Sequence, residues 1–273
     1  MSNERDILRE SERLASEGKV GDAVKLLSEA ISMNPLAMFY HERAYCYEML
    51  SEHQKAWDDY STAVGLEPSS IRHLLARGML ACFKLGRDAD GFNDFYEAIA
   101  IDPDSPRPHQ NLSFCYSILG NLERADWHAN RAIELDPNDA SSHFSLGTCH
   151  RAAKDFRAAA QEFEKAISLE PRNVAYWEEL AWVQYCAKDY TSSAASYRAA
   201  IEIEPSARSH INLASVLLEL GNPNEALAQL ILARGFQLDD AQQALVSAYT
   251  RTAQLKLGMV SPDGPSEISA ERD

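Results

Sequence analysis

The sequence predicts an all-α solenoid of about seven helix pairs closed by one further helix. Three observations carry this. Pro35, Pro68, Pro103, Pro137, Pro171 and Pro205 follow one another at spacings of 33, 35, 34, 34 and 34 residues, and self-similarity at such a period marks a chain built from stacked supersecondary units. Ala and Leu dominate a hydrophobic fraction of 45%, which favours helices over strands. Small and aromatic residues also recur in the same order ahead of each proline.

Taken in order, the units run over about 4–36, 37–70, 71–105, 106–139, 140–173, 174–206 and 207–240, with a capping helix over 241–259. Together they make a solenoid of residues 1–260, followed by a tail over 261–273. The first unit is the weakest, with Ala23, Leu27, Ala30 and Pro35. Its opening helix puts Ile7, Leu8, Leu14 and Ala15 on one stripe and Arg5, Arg9, Glu10, Glu12 and Arg13 elsewhere, as an outermost helix with one wet face requires. The second unit carries Tyr40, Ala44, Tyr47, Ala56, Tyr60, Ala63 and Pro68. The third carries Gly91, Phe95, Ala98 and Pro103, and a first helix one residue longer than the others explains its spacing of 35. Leu112, Tyr116, Ala125, Ala132 and Pro137 mark the fourth, and Leu146, Gly147, Ala159, Phe163, Ala166 and Pro171 the fifth. Gly147 and Ala159 are expected to face each other where that pair crosses, because helices approach closely only over small side chains. The sixth has Trp177, Leu180, Ala181, Tyr197, Ala200 and Pro205; the seventh has Leu213, Ala214, Ala226, Leu230 and Ala233, with Leu238 in the proline's place.

Punctuation agrees with these bounds. Gly18, Gly86, Gly120 and Gly221 stand where a first helix must turn into its partner. A residue ahead of proline is pushed out of the helical region, so each second helix should stop at the residue before its proline. In the capping helix Ala241, Ala244, Leu245, Ala248, Thr252 and Leu255 recur at helical spacing, predicting the face that closes the stack. From Ser261 the sequence SPDGPSEISAERD is nearly devoid of apolar residues and reads as a disordered tail.

The pattern Leu146-Gly147, Ala159, Phe163, Ala166, Pro171, with His143 and His150 in two aromatic places, resembles the tetratricopeptide repeat. The resemblance covers nearly the whole chain and implies a right-handed α-α superhelix that acts as a protein-protein interaction adaptor or assembly scaffold. In that family the first helix of each pair lines a groove that receives a peptide or a partner helix. The matching residues are Met38, His41, Glu42 and Tyr45; Arg107, Gln110, Asn111 and Phe114; Ser141, Phe144, Ser145 and Thr148; Glu178, Glu179 and Trp182; and Arg208, Ile211, Asn212 and Ser215. Aromatics with adaptable polar groups suit a peptide groove. Packing of Phe114, Phe144 and Trp182 between units is the alternative reading of the same residues. The chaperone-binding members clamp a terminal carboxylate with Lys, Asn, Asn, Lys and Arg; the corresponding residues are Gln110, Phe114, Ser145, Ala175 and Glu179, so that clamp is absent. An asparagine ladder would need one in every unit, and only Asn111 and Asn212 match.

Chemistry is hard to find in the sequence. Cys46, Cys115 and Cys149 occupy equivalent places in different units, which keeps them apart by at least about one helix-packing distance of 10 Å, too far to share a zinc ion. They are expected as small core residues, and disulfides are not expected from five cysteines in a reducing compartment. No phosphate-binding loop, dinucleotide fingerprint or nucleophile elbow occurs, so neither catalysis nor a cofactor or metal is expected. The net charge of −15, from 41 acidic and 26 basic residues, disfavours nucleic acid and anionic membranes while keeping the surface soluble and favouring a basic partner. The charged first residues lack an apolar run, no stretch is long enough to span a membrane, and a cytoplasmic location is expected. Self-association through the groove or an end is the alternative function, and an enzyme or enzyme subunit a third.

Overall fold

The computed structural model describes residues 4–260, so the tail expected over 261–273 lies outside the described residues. Among the described residues every regular element is helical. They divide into two compact units between Pro137 and Asn138. The first holds α1 (Glu4–Ser16), α2 (Val20–Met33), α3 (Ala37–Met49), α4 (His53–Leu66), α5 (Ile71–Leu80) with a π turn (Ala81–Leu85), α6 (Asp88–Ile101), α7 (Pro106–Ile118) and α8 (Leu122–Leu135). The second holds α9 (Ala140–Ala152), α10 (Phe156–Leu169), α11 (Val174–Cys186), α12 (Tyr190–Ile203), α13 (Ala207–Glu219), α14 (Pro223–Ala233) and α15 (Asp240–Lys256). Within each unit every helix packs on the next in sequence, which makes seven pairs and a closing helix of an all-α solenoid.

One position explains why the pairs form. The eleventh residue of every second helix is alanine, namely Ala30, Ala63, Ala98, Ala132, Ala166, Ala200 and Ala233, and all are buried to 2% exposure or less. The fourth is equally small in every case (Ala23, Ala56, Gly91, Ala125, Ala159, Ser193, Ala226) and also buried. These two positions lie on one helical face and let the axes approach to about 8–10 Å. The eighth residue between them is the large one in six pairs: Leu27, Tyr60, Phe95, Phe163, Tyr197 and Leu230. Each such side chain contributes about 1.5–3 kcal/mol when buried.

The helices stop where proline chemistry stops them. The residues ahead of the six prolines, Asn34, Glu67, Asp102, Asp136, Glu170 and Glu204, have φ from −130° to −151°, outside the helical region. At the turn inside each pair one residue is left-handed. It is glycine at Gly18, Gly86, Gly120 and Gly221, but Ser51, Lys154 and Lys188 take the same place with φ of 59°, 62° and 64°. The extra residue of the third repeat is absorbed by the π turn Ala81–Leu85, which widens the end of its first helix by one residue before Gly86.

Two expectations are corrected. A Cβ on Gly147 would lie 2.6 Å from the ring of Phe163, which is therefore the group that occupies the space beside this glycine, in place of Ala159. Gly78 stands in the same relation to Phe95 at 2.7 Å. In α15 the buried residues are Val246 and Ala253, with Tyr249 partly buried beside them, while Ala241, Ala244, Leu245, Ala248 and Thr252 are exposed. The helix is thus turned by about one residue, or 100°, from the stripe the sequence suggested. Two stripes of α15 are apolar, and the one with the bulkier Val246 and Tyr249 docks; the Lys256 ammonium, which donates to the Leu218 carbonyl at 2.6 Å, and the capping box of Asp239 with Gln242 fix both ends.

Both units bury polar groups, and in the first these include two arginine-carboxylate forks and two histidine pairs. Arg43 forks onto Asp59 at 2.7 and 2.8 Å, and Arg77 onto Asp94 at 2.9 and 2.7 Å, each joining the two helices of a pair. His41 meets His73 and His109 meets His128, Nδ1 to Nδ1 at 3.0 Å in both cases. Burial, reinforced by Arg72 and His73, pushes His41 down to about 3, and burial with His109 and Arg124 pushes His128 to about 4. Burial lowers His73 and His109 too, although Glu67 opposes it at His73. These rings are neutral in the fold.

Three outcomes follow from this packing. Gly147→Leu should cost at least about 2 kcal/mol by overpacking Phe163, despite leucine's higher helix propensity, and an unchanged denaturation midpoint would contradict that contact. Lys188→Gly should raise stability by about 0.5–1 kcal/mol, read from the same titration, because glycine carries no Cβ penalty at positive φ. The four histidines gain protons on unfolding below their ordinary value of 6.5. Stability is therefore complete above that value and falls as the pH drops from about 6.5 towards about 4. Thermal unfolding followed from about pH 7 to about pH 5 should show a falling midpoint, with a shallower fall in His128→Gln; a flat profile would mean that these rings are protonated in the fold.

Candidate partner-binding surface

First helices of neighbouring pairs touch one another, as α1 does α3, α5 does α7 and α13 does the closing α15; second helices make no comparable contact. First helices therefore form the inner wall of each unit. Side chains one turn apart along a first helix present a stripe to that wall.

In the first unit a groove of about 210 Å³ runs between α1 and α3, lined by Ser11, Glu12, Ala15, Ser16, Glu42, Tyr45, Cys46 and Met49. Tyr45 is 53% exposed there, and Glu42 is ion-paired with Arg72 of α5. Burial, with Glu42 adding to it, raises the Cys46 thiol to about 11, so it stays protonated. Met38 is packed against the core between α2 and α3. His41 is buried in its pair with His73 and presents nothing to this surface. On α7, Arg107 is exposed, Gln110 and Asn111 are half-buried, and Phe114 packs its ring on Phe83 at 5.1 Å.

In the second unit a pocket of about 90 Å³ is lined by Arg151 of α9, Glu178, Glu179 and Trp182 of α11, Tyr197 of α12, and Arg208 and Asn212 of α13. The structure thus brings together Glu178, Glu179, Trp182, Arg208 and Asn212 from the expected set. Trp182 is 39% exposed, with Arg151 over its ring at 5.4 Å and Phe156 edge-on at 6.0 Å. Arg151 Nε also faces Glu179 Oε2 at 3.2 Å, an ion pair whose two atoms are buried from solvent. The Ser209 hydroxyl donates to Glu178 at 2.6 Å, which fixes that carboxylate at the wall. Burial, with Glu178 second, raises the Tyr197 phenol and keeps it neutral.

Other expected residues fall elsewhere. Phe144 is wedged between Phe163 at 5.5 Å and Tyr176 at 5.0 Å, a packing role. Thr148 is buried with its hydroxyl on the Phe144 carbonyl, and Ile211 is buried in the core, so neither reaches the surface. Ser141 lies beside the Tyr176 hydroxyl, and Ser145 donates to the Ser141 carbonyl at 2.9 Å. Ser215 is half-buried outside the pocket lining. Arg151 and Met49 were absent from the sequence-derived set; extending each stripe by one turn beyond Thr148 and Tyr45 reaches them.

The arrangement offers an aromatic face with flanking donors and acceptors, suited to holding a polypeptide segment. Among the described residues there is no cluster of three or more metal-ligating side chains, and no helix is long and apolar enough to cross a membrane.

The tetratricopeptide repeat family model matches residues 119–168, 150–208 and 189–235. No curated protein sequence matches the chain. Among solved structures, a tetratricopeptide repeat protein from Parabacteroides merdae aligns at 15% identity over 92% of this chain and 98% of its own, with a TM-score of 0.64. The APC/C hetero-tetramer Cut9–Hcn1 aligns at 16% over 88% of this chain, with a TM-score of 0.67, and there the match spans 48% of the other chain. A thermophilic protein of the same repeat class from Thermus thermophilus aligns at 20% over 67% of this chain and 98% of its own, with a TM-score of 0.54. Repeat period, helix pairing and these likenesses agree: residues 119–235 are tetratricopeptide repeats and the chain has the fold of such solenoids, which generally serves as a protein-protein interaction or scaffold module.

Proposed function

We propose that the chain is an adaptor that takes an extended segment of a partner protein along the inner wall of its second unit, with an apolar side chain of that segment seated on Trp182. The observation that carries this reading is the partly exposed Trp182 ring in a pocket it shares with Arg208 and Asn212. Aromatic side chains commonly dominate interface energy, and the surrounding Arg208 and Asn212 can donate to a partner's carbonyl groups. The groove on the first unit, with Glu12 beside Tyr45 and Met49, suits a basic residue flanked by apolar ones, in keeping with the net charge of −15.

The test is affinity capture with the full chain, followed by titration of the captured partner's binding segment against wild type and Trp182→Ala. Binding should weaken by about 2 kcal/mol, roughly 30-fold, while the unfolding midpoint stays close to wild type. A variant that melts early by about 3–5 kcal/mol would assign Trp182 to packing. Unchanged affinity in a stable variant would remove it from the interface.

A further inference from the structure

The pocket beside Trp182 contains a hydroxyl that the fold does not use. Tyr197 is the eighth residue of α12, at the position held in other pairs by Leu27, Phe95, Ala129, Phe163 and Leu230, none of which has a polar side-chain atom. Tyr60, the other tyrosine at that position, donates its hydroxyl to Glu48 at 2.7 Å. The Tyr197 hydroxyl makes no hydrogen bond among the described residues, although the residue is only 3% exposed. Because α12 is a second helix and stands behind the inner wall, Tyr197 lines the pocket with the tip of its ring, beside Glu178 and Glu179 of α11 and Arg208 of α13, whose charges act on the phenol. Asn212, one turn after Arg208, lines the same pocket, and its half-buried amide is likewise without a hydrogen bond among the described residues.

We propose that this pocket reads a side-chain carboxamide, that of an Asn or Gln, on the partner segment whose neighbouring apolar residue sits on Trp182; the inference rests on the reading of Trp182 given above. Charge decides against an ion. The lining carries two guanidinium groups, Arg151 and Arg208, and two carboxylates, Glu178 and Glu179, so an entering carboxylate meets two like charges and an entering ammonium meets two others. A carboxamide is uncharged and answers both kinds of lining group. Its oxygen accepts from the Tyr197 hydroxyl and from Arg208 or the Asn212 amide, and its NH2 donates to Glu178, which Ser209 already holds at the wall. Size agrees. At about 90 Å³ the pocket is smaller than the roughly 150 Å³ that takes a benzene ring, so it holds the head of a side chain and not an aromatic residue. An apolar side chain of the same size is rejected, because it would cut the hydroxyl and Asn212 off from water without replacing those hydrogen bonds.

The full chain would be panned against a displayed library of random short peptides, and one selected peptide titrated against wild type, Tyr197→Phe and Asn212→Ala. Selection should enrich Asn or Gln beside an apolar residue. Tyr197→Phe and Asn212→Ala should each weaken that peptide by about 3- to 10-fold, the worth of one neutral hydrogen bond, and leave unaffected the same peptide with alanine in place of its Asn or Gln. The unfolding midpoint of Tyr197→Phe should stay at that of wild type; a fall would show the hydroxyl bonded within the fold and overturn the proposal. Selection of Asp, Glu, Lys or Arg at that place, or equal weakening of both peptides, would overturn it too. Apolar enrichment that Trp182→Ala abolishes, with no preference beside it, would leave the Trp182 surface standing and remove the carboxamide. No enrichment dependent on Trp182 would remove both.

Discussion

Close approach of the two helices in each pair is the constraint on which the structure rests. Seven buried alanines at the eleventh position of the second helices, with a small residue one face-repeat earlier, leave no room for a longer side chain. Interiors packed to crystal-like density respond to a single added methylene, so these positions hold while their surroundings drift. The large residue between them then fills the space against the first helix, and at Gly78 and Gly147 the first helix gives way altogether to admit a phenylalanine ring. Because each pair settles its own geometry, stacking needs only a compatible face on the next pair, and the inner wall of first helices follows from it.

The features legible in the sequence were those imposed by backbone chemistry or by volume. A proline forces its predecessor out of the helix whatever surrounds it, so all six stops could be located in advance. The added residue of the third repeat was likewise visible in the spacing, although a count cannot tell a longer helix from a π turn. Where two solutions have similar cost, the sequence was ambiguous. In α15 the stripe through Leu245 and the stripe through Val246 are both apolar, and tertiary contact with α13 and α14 chose the second. The left-handed Ser51, Lys154 and Lys188 were equally hidden, because the fold imposes positive φ there on residues that do not favour it.

The surface was only partly readable, for a reason that lies in helix geometry. A stripe of four residues along a first helix is broad enough to reach both solvent and the neighbouring helix, and spacing alone does not separate the two. Phe144, Thr148 and Ile211 turned inward, where aromatic and aliphatic volume is needed between pairs. Trp182 stayed partly outside, with Arg151 over one face of its ring. Arg151 lies one turn beyond Thr148 on the same stripe.

Sequence drift among the repeats is tolerated through a shared polar socket. The seventh residue of the second helix faces the first helix in five pairs, and it is met in two different ways. Arg43 and Arg77, at the seventh position of their first helices, fork onto Asp59 and Asp94. His109, His143 and His210, three residues earlier on theirs, take His128, Glu162 and Gln229 at 2.8 to 3.0 Å. Either solution satisfies the buried group, which otherwise carries a penalty of about 1–3 kcal/mol. The two solutions differ in what they couple to. A forked guanidinium and carboxylate is insensitive to pH across the neutral range, while a neutral imidazole pair is stable only as long as neither ring gains a second proton. Of these five pairs, His109–His128 joins two imidazoles that burial holds neutral, and His41–His73 adds a second such contact between pairs bound through arginine, so pH sensitivity resides in these two imidazole contacts; whether the seventh residue meets arginine or histidine is set by one helical turn in where its partner is attached.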